Sequence, residues 1–161
     1  MVAAGYESLK ISIVMPTYQR PHTILNTVRM IQQQKYQHRE LIVIDNHGAG
    51  DYRFHDERVR VYAHADRPSA SYARNQAKQY ATGDLLCFFD DDDDMFPKYL
   101  ETFVAAFKAH PTAKLFRCGM FVSDEATNYS FATPECCLRG NTRDLIGQLR
   151  VQHTIRLTFG R

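Results

Sequence analysis

Five consecutive aspartates, Asp90 to Asp94, directly follow the apolar segment Leu85 to Phe89. The apolar segment has the length of a buried strand and is far too short to cross a bilayer. Neighbouring carboxylates repel one another, so the arrangement is unfavourable unless something neutralises the charge. This feature constrains the fold, because a buried strand must end where water or a bound cation can reach the acidic run.

The acidic run has two interpretations, a solvated loop and a binding site for a divalent cation. Hard ions such as Mg²⁺ and Mn²⁺ take oxygen ligands, often one or two carboxylates together with substrate phosphates. We favour the cation site because apolar residues directly precede the run and Met95-Phe96-Pro97 directly follows it. An EF-hand is excluded, since the run lacks the glycine and the spaced oxygen ligands of that loop.

Apolar segments of strand length alternate with segments of helical periodicity along the chain. The predicted strands are Lys10–Met15, Glu40–Ile44, Val59–Ala63, Leu85–Phe89 and Ala113–Val122. The predicted helices are Pro21–Gln34, Ser69–Tyr80 with Gly83 as its C-cap, and Pro97–Ala109. The alternation predicts an α/β fold of the Rossmann-like kind, with a mostly parallel central sheet and helices on both faces.

Polar clusters follow three of the predicted strands. They are Pro16–Arg20, Asp45–Gly48 and Asp90–Asp94. In a mostly parallel sheet, ligands bind in the crevice outside the carboxyl ends of the strands. We therefore expect these clusters, which are distant in sequence, to meet along one edge of the sheet and form the functional site.

Composition narrows the classes of partner and the location. The chain has 161 residues and a formal net charge of +2, and its Lys and Arg residues are scattered. The length fits one domain, and the scattered charge gives no reason to expect a nucleic-acid partner. The sequence does not open with a basic region and an apolar stretch, so we expect a cytoplasmic protein. Cys87 is expected to be buried, and adjacent Cys136 and Cys137 do not have the spacing of a zinc knuckle.

Five short segments stand in a characteristic order and spacing: Lys10–Tyr18, Glu40–Asn46, Ala73–Asn75, Ala81–Asp84 and Phe89–Asp93. In that order and spacing they resemble the family 2 glycosyltransferases, which have the GT-A fold. Each segment alone is a weak signal, whereas five in order are a strong one. The resemblance covers about Lys10 to Pro111 and marks residues 10–111 as a nucleotide-sugar-binding core.

The resemblance implies an inverting sugar transfer from a nucleotide-diphosphate sugar, with a UDP-sugar favoured, to a saccharide or other hydroxyl acceptor. It implies Mn²⁺ or Mg²⁺ as the cofactor, which would offset the charge of the leaving diphosphate. The donor-binding residues that it implies are Pro16, Thr17, Tyr18, Asp45, Asn46, Arg74, Asn75, Asp90 and Asp91. Asp92 and Asp90 are the implied metal ligands, while Asp91 would face the ribose and Asp93 would extend the acidic pair.

Two departures from the family pattern affect the nucleobase and the catalytic base. Asn46 stands where the family usually has an aspartate that accepts a hydrogen bond from uracil. An amide can also accept one, so uridine stays compatible, and guanine or thymine nucleotides become open. The family commonly takes its base from an aspartate in a Glu-Asp pair, and no such pair follows Pro97. Glu135 is the candidate base by elimination, and His153 is a weaker alternative.

Three interpretations of the activity follow from these departures. The chain is a compact hexosyltransferase, or a truncated or degenerate module that binds a nucleotide-sugar without efficient transfer, or an assembly module completed by a partner or homo-oligomer. We expect one GT-A-like domain over residues 1–161, with residues 112–161 as a short acceptor-side or assembly region. Within that region we expect a loop at Ser123–Thr133, a helix at Asn141–Arg150 and a strand at Val151–Arg161.

Other phosphate-binding classes fit less well. A nucleotidyltransferase or a dinucleotide-binding protein needs glycines after the first strand, and Pro16–Arg20 contains none. A phosphohydrolase of the aspartyl type needs a nucleophilic aspartate at the same position, where this chain has none.

Overall fold

Strands and helices succeed one another along the chain much as the sequence predicts. The structure, a computed structural model, describes residues 9–48, 52–64, 69–113, 115–117, 121–124, 129–132 and 136–138. The helices are α1 (Pro21–Gln32), α2 (Ala70–Ala77) and α3 (Tyr99–Ala109). The strands are β1 (Ile11–Thr17), β2 (Arg39–Asp45), β3 (Val59–Ala63), β4 (Leu85–Phe88), β5 (Leu115–Arg117), β6 (Phe121–Asp124), β7 (Tyr129–Ala132) and β8 (Cys136–Leu138). The chain divides into two compact units, Met1–Val104 and Ala105–Arg161.

The first unit is built on a four-stranded parallel sheet with the strand order β3-β2-β1-β4. β1 and β2 are the inner strands, and every residue of both is buried. The chain crosses the sheet in one direction from β1 to β2 and in the other from β3 to β4. Right-handed crossovers therefore place α1 and α2 on opposite faces. The prediction of a mostly parallel sheet with helices on both faces is confirmed.

Each helix of this unit buries a narrow stripe of its surface. Ala73 and Ala77 of α2 pack with Val14, Ile42 and Ile44 of the sheet. Buried apolar residues of α1 recur at the helical spacing of three and four, at Ile24, Val28 and Ile31. No helix in the described part of the chain is long and apolar enough to cross a membrane.

Gln34 joins the end of α1 to the start of α3. Its side chain is fully buried, donates to the Phe96 carbonyl at 2.7 Å and accepts from the Leu100 N–H at 3.2 Å. A buried amide is stable only when it is hydrogen-bonded in this way. The contact fixes the segment that leads from the aspartates into α3. Cys87 of β4 is buried, as predicted.

β1 continues through Pro16, where the sequence predicted that it would stop. Pro16 is in register with Ile44 of β2. On the other side of β1, the carbonyl of Val14 accepts from the Phe89 N–H at 3.1 Å, and β4 itself ends at Phe88. β4 therefore does not pair with β1 beyond Val14, and the missing N–H of Pro16 breaks no ladder hydrogen bond. The strand carries its last residue, Thr17, beyond the predicted end.

The amino end of the sheet holds Glu40, a buried carboxylate that the sequence analysis did not single out. Ser12 Oγ donates to it at 2.6 Å and the Thr82 N–H at 2.7 Å. Lys10 Nζ and the Arg60 guanidinium lie 2.9 and 2.7 Å from Glu40 Oε2. Burial alone would raise the pKa of Glu40, but hydrogen bonds from Ser12, Lys10 and Thr82 outweigh it and lower the pKa to about 2.

Gly83 does not cap α2, so that prediction is wrong. The helix ends at Ala77, its C-cap is Lys78 in a right-handed helical conformation, and a turn follows over residues 78–80. A Cβ on Gly83 would lie 2.7 Å from the Lys10 carbonyl oxygen and from the Ser12 nitrogen. The close approach to the start of β1, rather than helix capping, therefore requires glycine here.

The second unit contains two pairs of antiparallel strands. β5 pairs with β8, and β6 pairs with β7. The predicted single strand Ala113–Val122 and the predicted loop Ser123–Thr133 are therefore wrong. Backbone hydrogen bonds hold antiparallel pairs, which need at most one apolar face, so a largely polar segment can still form them. The predicted helix Asn141–Arg150 and strand Val151–Arg161 lie outside the described residues.

Candidate functional site

The carboxyl ends of β1 and β4 lie side by side at the point where the crossing direction of the chain reverses. In open α/β sheets this switch point is where ligands bind. Thr17 ends β1, the aspartates follow β4, and Thr17 Oγ1 donates to Asp91 Oδ2 at 2.6 Å. The Asn46 N–H, at the end of β2, donates to the Thr17 carbonyl at 3.0 Å. The three polar clusters of the sequence therefore meet around Thr17.

Asp91 is the buried centre of the acidic run and is 4% exposed. Besides Thr17, it accepts from Arg20 Nη1 at Oδ1, at 3.1 Å. Its backbone carbonyl accepts from Thr27 Oγ1 of α1 at 2.9 Å. Burial raises the pKa of Asp91, although the hydrogen bond from Thr17 and the charge of Arg20 oppose the rise. These contacts tie the turn that carries the aspartates to β1, to the loop after it and to α1.

Tyr52 is a further residue of the site, which the sequence analysis missed. Its phenol lies near the Thr17 hydroxyl, which acts to lower the pKa of Tyr52. Burial raises the pKa of Tyr52, and the nearby charge of Asp45 adds to the rise. A lone tyrosine in a polar segment gives no sequence signal that would have found it.

Two arginines form ion pairs with the aspartates on either side of Asp91. Arg20 Nη1 pairs with Asp92 Oδ2 in addition to Asp91, and Arg74 Nη2 pairs with Asp90 Oδ1. Arg20 is the N-cap residue of α1, and Arg74 lies in the last turn of α2. Arg74 was predicted, whereas Arg20 was not, although it belongs to the polar cluster after β1. The acidic run is thus offset by two guanidinium groups from separate elements.

The charge of the acidic run remains excessive despite these two arginines. Asp93 is near the surface, yet partial withdrawal of its carboxyl group from water and the charges of Asp90, Asp92, Asp94 and Asp91 raise its pKa to about 6. A carboxyl group with a raised pKa among like charges is stabilised by any added cation. The electrostatics of the run therefore favour binding of positive charge.

The end of β2 presents a buried amide next to the acidic run. Asn46 is 4% exposed, and its Nδ2 donates to the Ser69 carbonyl at 3.3 Å. Asn46 Oδ1 is buried and has no hydrogen-bond partner among the residues that the structure describes. Asp45 is buried and its Oδ1 accepts from the His47 N–H at 2.9 Å. The exposed ring of Tyr18 meets the His47 ring edge to face, with centroids 5.5 Å apart.

The structure brings most of the predicted site residues to one edge of the sheet. The residues gathered there are Pro16, Thr17, Tyr18, Asp45, Asn46, Arg74, Asp90, Asp91 and Asp92. Asn75 follows Arg74 on α2 and is exposed. Glu135 and His153, the two candidate bases, lie outside the described residues. The role of each residue toward a ligand stays a prediction.

The acidic run fits a hard divalent cation that is bound jointly with a ligand. Within the described ranges, no group of three or more His, Cys, Asp or Glu side chains could hold a metal. Asp90 and Asp92 offer carboxylate oxygens alone, and two carboxylates supplemented by phosphate oxygens are a common shell for Mg²⁺. The donor set therefore matches an ion completed by a phosphate ligand rather than a closed protein cage.

A doubly wound parallel sheet with carboxylates gathered at its switch point defines a Rossmann-like α/β class. Residues 12–156 match the model of the family described as Glycosyl transferase family 2. The match spans well over half of the chain, so the protein belongs to this family.

Two curated relatives illustrate the similarity in sequence. The Escherichia coli protein UDP-Glc:alpha-D-GlcNAc-diphosphoundecaprenol beta-1,3-glucosyltransferase WfgD is 33% identical over 96 residues, 56% of this chain and 38% of that protein. Glycosyltransferase GlyG of Streptococcus pneumoniae is 30% identical over 100 residues, 57% of this chain and 33% of that protein. The matches span well under half the length of these relatives.

Two solved structures share the fold. TarS 1–349 of S. aureus, in complex with UDP, has a TM-score of 0.54 at 20% identity. The match covers 64% of this chain and 33% of the TarS chain. The mannosyltransferase PcManGT of Pyrobaculum calidifontis, in complex with GDP-Man and Mn²⁺, has a TM-score of 0.52 at 23% identity. The match covers 70% of this chain and 36% of the PcManGT chain. These likenesses confirm the GT-A fold.

Proposed function

We propose that this chain forms the nucleotide-sugar-binding part of a glycosyltransferase that moves a hexose, with inversion, to a hydroxyl acceptor. The observation that carries the proposal is the joint network of Thr17, Arg20, Arg74 and the aspartates at the switch point. Structural relatives in complex with UDP and with GDP-Man support a nucleoside-diphosphate donor. A cytoplasmic location stays a prediction.

Asp90 and Asp92 are the residues that would hold the divalent cation. When bound, the ion supplies positive charge that offsets the negative charge of the departing diphosphate. Asp91 keeps both aspartates in place, because its own carboxylate is bound by Thr17 and Arg20. The complex of PcManGT with Mn²⁺ supports this assignment by analogy.

Asn46 is the residue of this chain best suited to contact the nucleobase. Its Nδ2 is engaged with the Ser69 carbonyl, so the amide presents Oδ1 as an acceptor. An acceptor at this position pairs with a ring N–H, which uracil, thymine and guanine carry. We therefore favour a UDP-sugar and retain GDP- and dTDP-sugars as alternatives. Tyr18 has an exposed ring that could stack on the base.

Inversion also requires a general base within hydrogen-bond reach of the acceptor hydroxyl. Glu135 stays the candidate for that role. The alternative function is a nucleotide-sugar-binding module that lacks its own base and is completed by a partner or by a second copy. Transfer of a radiolabelled sugar by the chain alone favours the transferase, and donor binding without transfer favours the binding module.

Calorimetric titration of UDP, GDP and dTDP, each with and without Mn²⁺, tests the donor site. We expect one diphosphate to bind measurably without Mn²⁺ and more tightly with it, and the substitution Asp92→Ala to abolish the gain in affinity. Glu101→Ala, which removes an exposed carboxylate from the first turn of α3, is the matched control and should bind as the wild type does. Failure of all three diphosphates to bind with Mn²⁺ present would contradict the proposal.

A further inference from the structure

Two arginines occupy the carboxylates that the proposed function assigns to the cation. Arg20 pairs with Asp92 Oδ2, and Arg74 pairs with Asp90 Oδ1. The arginines come from the loop after β1 and from α2, so two independent elements each bring one guanidinium to the acidic run. A guanidinium bound to a carboxylate competes with a cation there, because it takes one acceptor oxygen and its positive charge repels a second one.

Two buried polar atoms near these ion pairs support binding of a ligand at this edge of the sheet. Asn46 is 4% exposed, and its Oδ1 has no partner within the described part of the chain. Arg74 Nε is likewise buried and, among the described residues, unpartnered. Leaving a buried polar atom unpaired costs stability, so such atoms call for an explanation. A nucleotide that lies along this edge would supply partners to both.

We propose that Arg20 and Arg74 are internal counter-ions of the metal site and that a nucleoside diphosphate releases them. In the free protein they offset part of the charge of the aspartates and keep Asp90 and Asp92 engaged. A diphosphate offers the guanidiniums another anionic partner with favourable fork-like geometry. A cation that the phosphate oxygens also bind then meets no competing positive charge at Asp90 and Asp92. This inference rests on the proposed function.

The exchange of partners couples the two ligands. Because coupling free energies are reciprocal, the diphosphate and the cation each raise the affinity of the protein for the other by the same factor. Loss of one guanidinium has opposite effects on the two ligands when each is tested alone. The cation binds more tightly because a competing positive charge is gone, and the diphosphate binds more weakly because it has lost a partner.

The test measures Mn²⁺ binding alone, and UDP and GDP binding in EDTA, for the wild type, Arg20→Gln and Arg58→Gln. Arg20→Gln should bind Mn²⁺ about fivefold or more tightly, and bind the accepted diphosphate about fivefold or more weakly. Arg58 is the matched control, because its side chain is 41% exposed, as that of Arg20 is, and it pairs with Asp56 just before β3. Arg58→Gln should change neither affinity.

Two results would overturn the inference. If Arg20→Gln lowered the affinity for both Mn²⁺ and the diphosphate, Arg20 would merely support the turn that carries the aspartates. If both affinities were unchanged, Arg20 would not be a counter-ion. Circular dichroism checks that the variant is folded. If Arg20→Gln is unfolded, Arg74→Gln carries the same test with the same expected signs. A wild type that binds no diphosphate even with Mn²⁺ would instead refute the proposed function, so the two failures are distinguishable.

Discussion

The carboxylates at the two ends of the parallel sheet have opposite surroundings. At the amino end, Glu40 receives hydrogen bonds from Ser12 and Thr82 and ion pairs from Lys10 and Arg60, and its pKa falls to about 2. At the carboxyl end, the ion pairs of the five aspartates involve, among the described residues, two arginines. There, burial and the neighbouring carboxylates raise the pKa of Asp93 to about 6.

The difference separates a carboxylate that the protein itself neutralises from a set that we propose binds a ligand. One carboxylate with several donors is neutralised by the protein itself and holds strand ends together. A run of carboxylates with too few donors is left to be neutralised by something that binds. The excess of carboxylates over donors at the carboxyl end supports our proposal that this end binds the ligand.

The largest effect on stability is expected at Glu40. Glu40→Gln removes the charge that Lys10 and Arg60 neutralise, and the fall of the pKa of Glu40 from 4.5 to about 2 corresponds to about 3 kcal/mol of stabilisation of that charge. Urea unfolding measures the loss, with Glu57→Gln, an exposed glutamate, as the control. A loss equal to that of the control would mean that the amino-end network contributes little.

The contribution of Glu40 to stability should also depend on pH, and Glu40→Gln tests the direction of that dependence. The pKa of Glu40 lies below its ordinary value of 4.5, so its contribution is fully present above pH 4.5 and is lost as the pH falls through about 2. The stability difference between the wild type and Glu40→Gln should therefore shrink between those pH values. A difference that is constant with pH would show that the charge of Glu40 is not what stabilises the sheet.

Substitution of Asp91 is expected to have an intermediate effect on stability and also to weaken ligand binding. Asp91→Asn loses an acceptor for Thr17 or Arg20, which costs about 1–3 kcal/mol of unfolding free energy. Loss of a residue that orients metal ligands typically weakens metal affinity by about 10–100-fold. Calorimetry of Mn²⁺-dependent diphosphate binding measures this, and Asp94→Asn, an exposed neighbour in the run, is the control. Equal effects of the two variants would mean that Asp91 acts through its charge alone.

The smallest effect is expected at Asp93, with the opposite sign. Its raised pKa means that the folded protein loses stability as the pH rises through about 6. Asp93→Asn should therefore raise the Tm at pH 7.5 by about 2–4 °C, less at high salt, and should have no effect below pH 4. Thermal unfolding at both pH values checks this. A lower Tm at pH 7.5 would contradict the account of unneutralised charge.

Hydrophobic periodicity was sufficient to predict the elements of the first unit. Buried strands such as β2 are nearly continuous apolar runs, and α1 repeats apolar residues with helical spacing. Prediction failed where one backbone contact decides the structure, as at Pro16 and Gly83. It also failed in β6 and β7, where pairing between backbones rather than an apolar pattern makes the strands.

The sequence predicted those residues of the candidate site that lie in recognisable motifs. The aspartates, Thr17, Asn46 and Arg74 lie in segments with recognisable patterns. Arg20 and Tyr52 contribute through tertiary contacts that no local pattern encodes. The assignment of each aspartate also depended on burial, because Asp91 is buried while Asp92 is exposed, and identical neighbours in sequence give no sign of that difference.

The most direct test of the central claim is a crystal structure with Mn²⁺ and UDP or GDP, whichever binds, recorded at a wavelength that reveals manganese. We predict one anomalous peak about 2.1 Å from carboxylate oxygens of Asp90 and Asp92 and from diphosphate oxygens. We also predict that the guanidiniums of Arg20 and Arg74 contact the diphosphate. Bound diphosphate with no manganese at Asp90 and Asp92, or manganese at another position, would contradict the claim that this acidic run is the metal and diphosphate site.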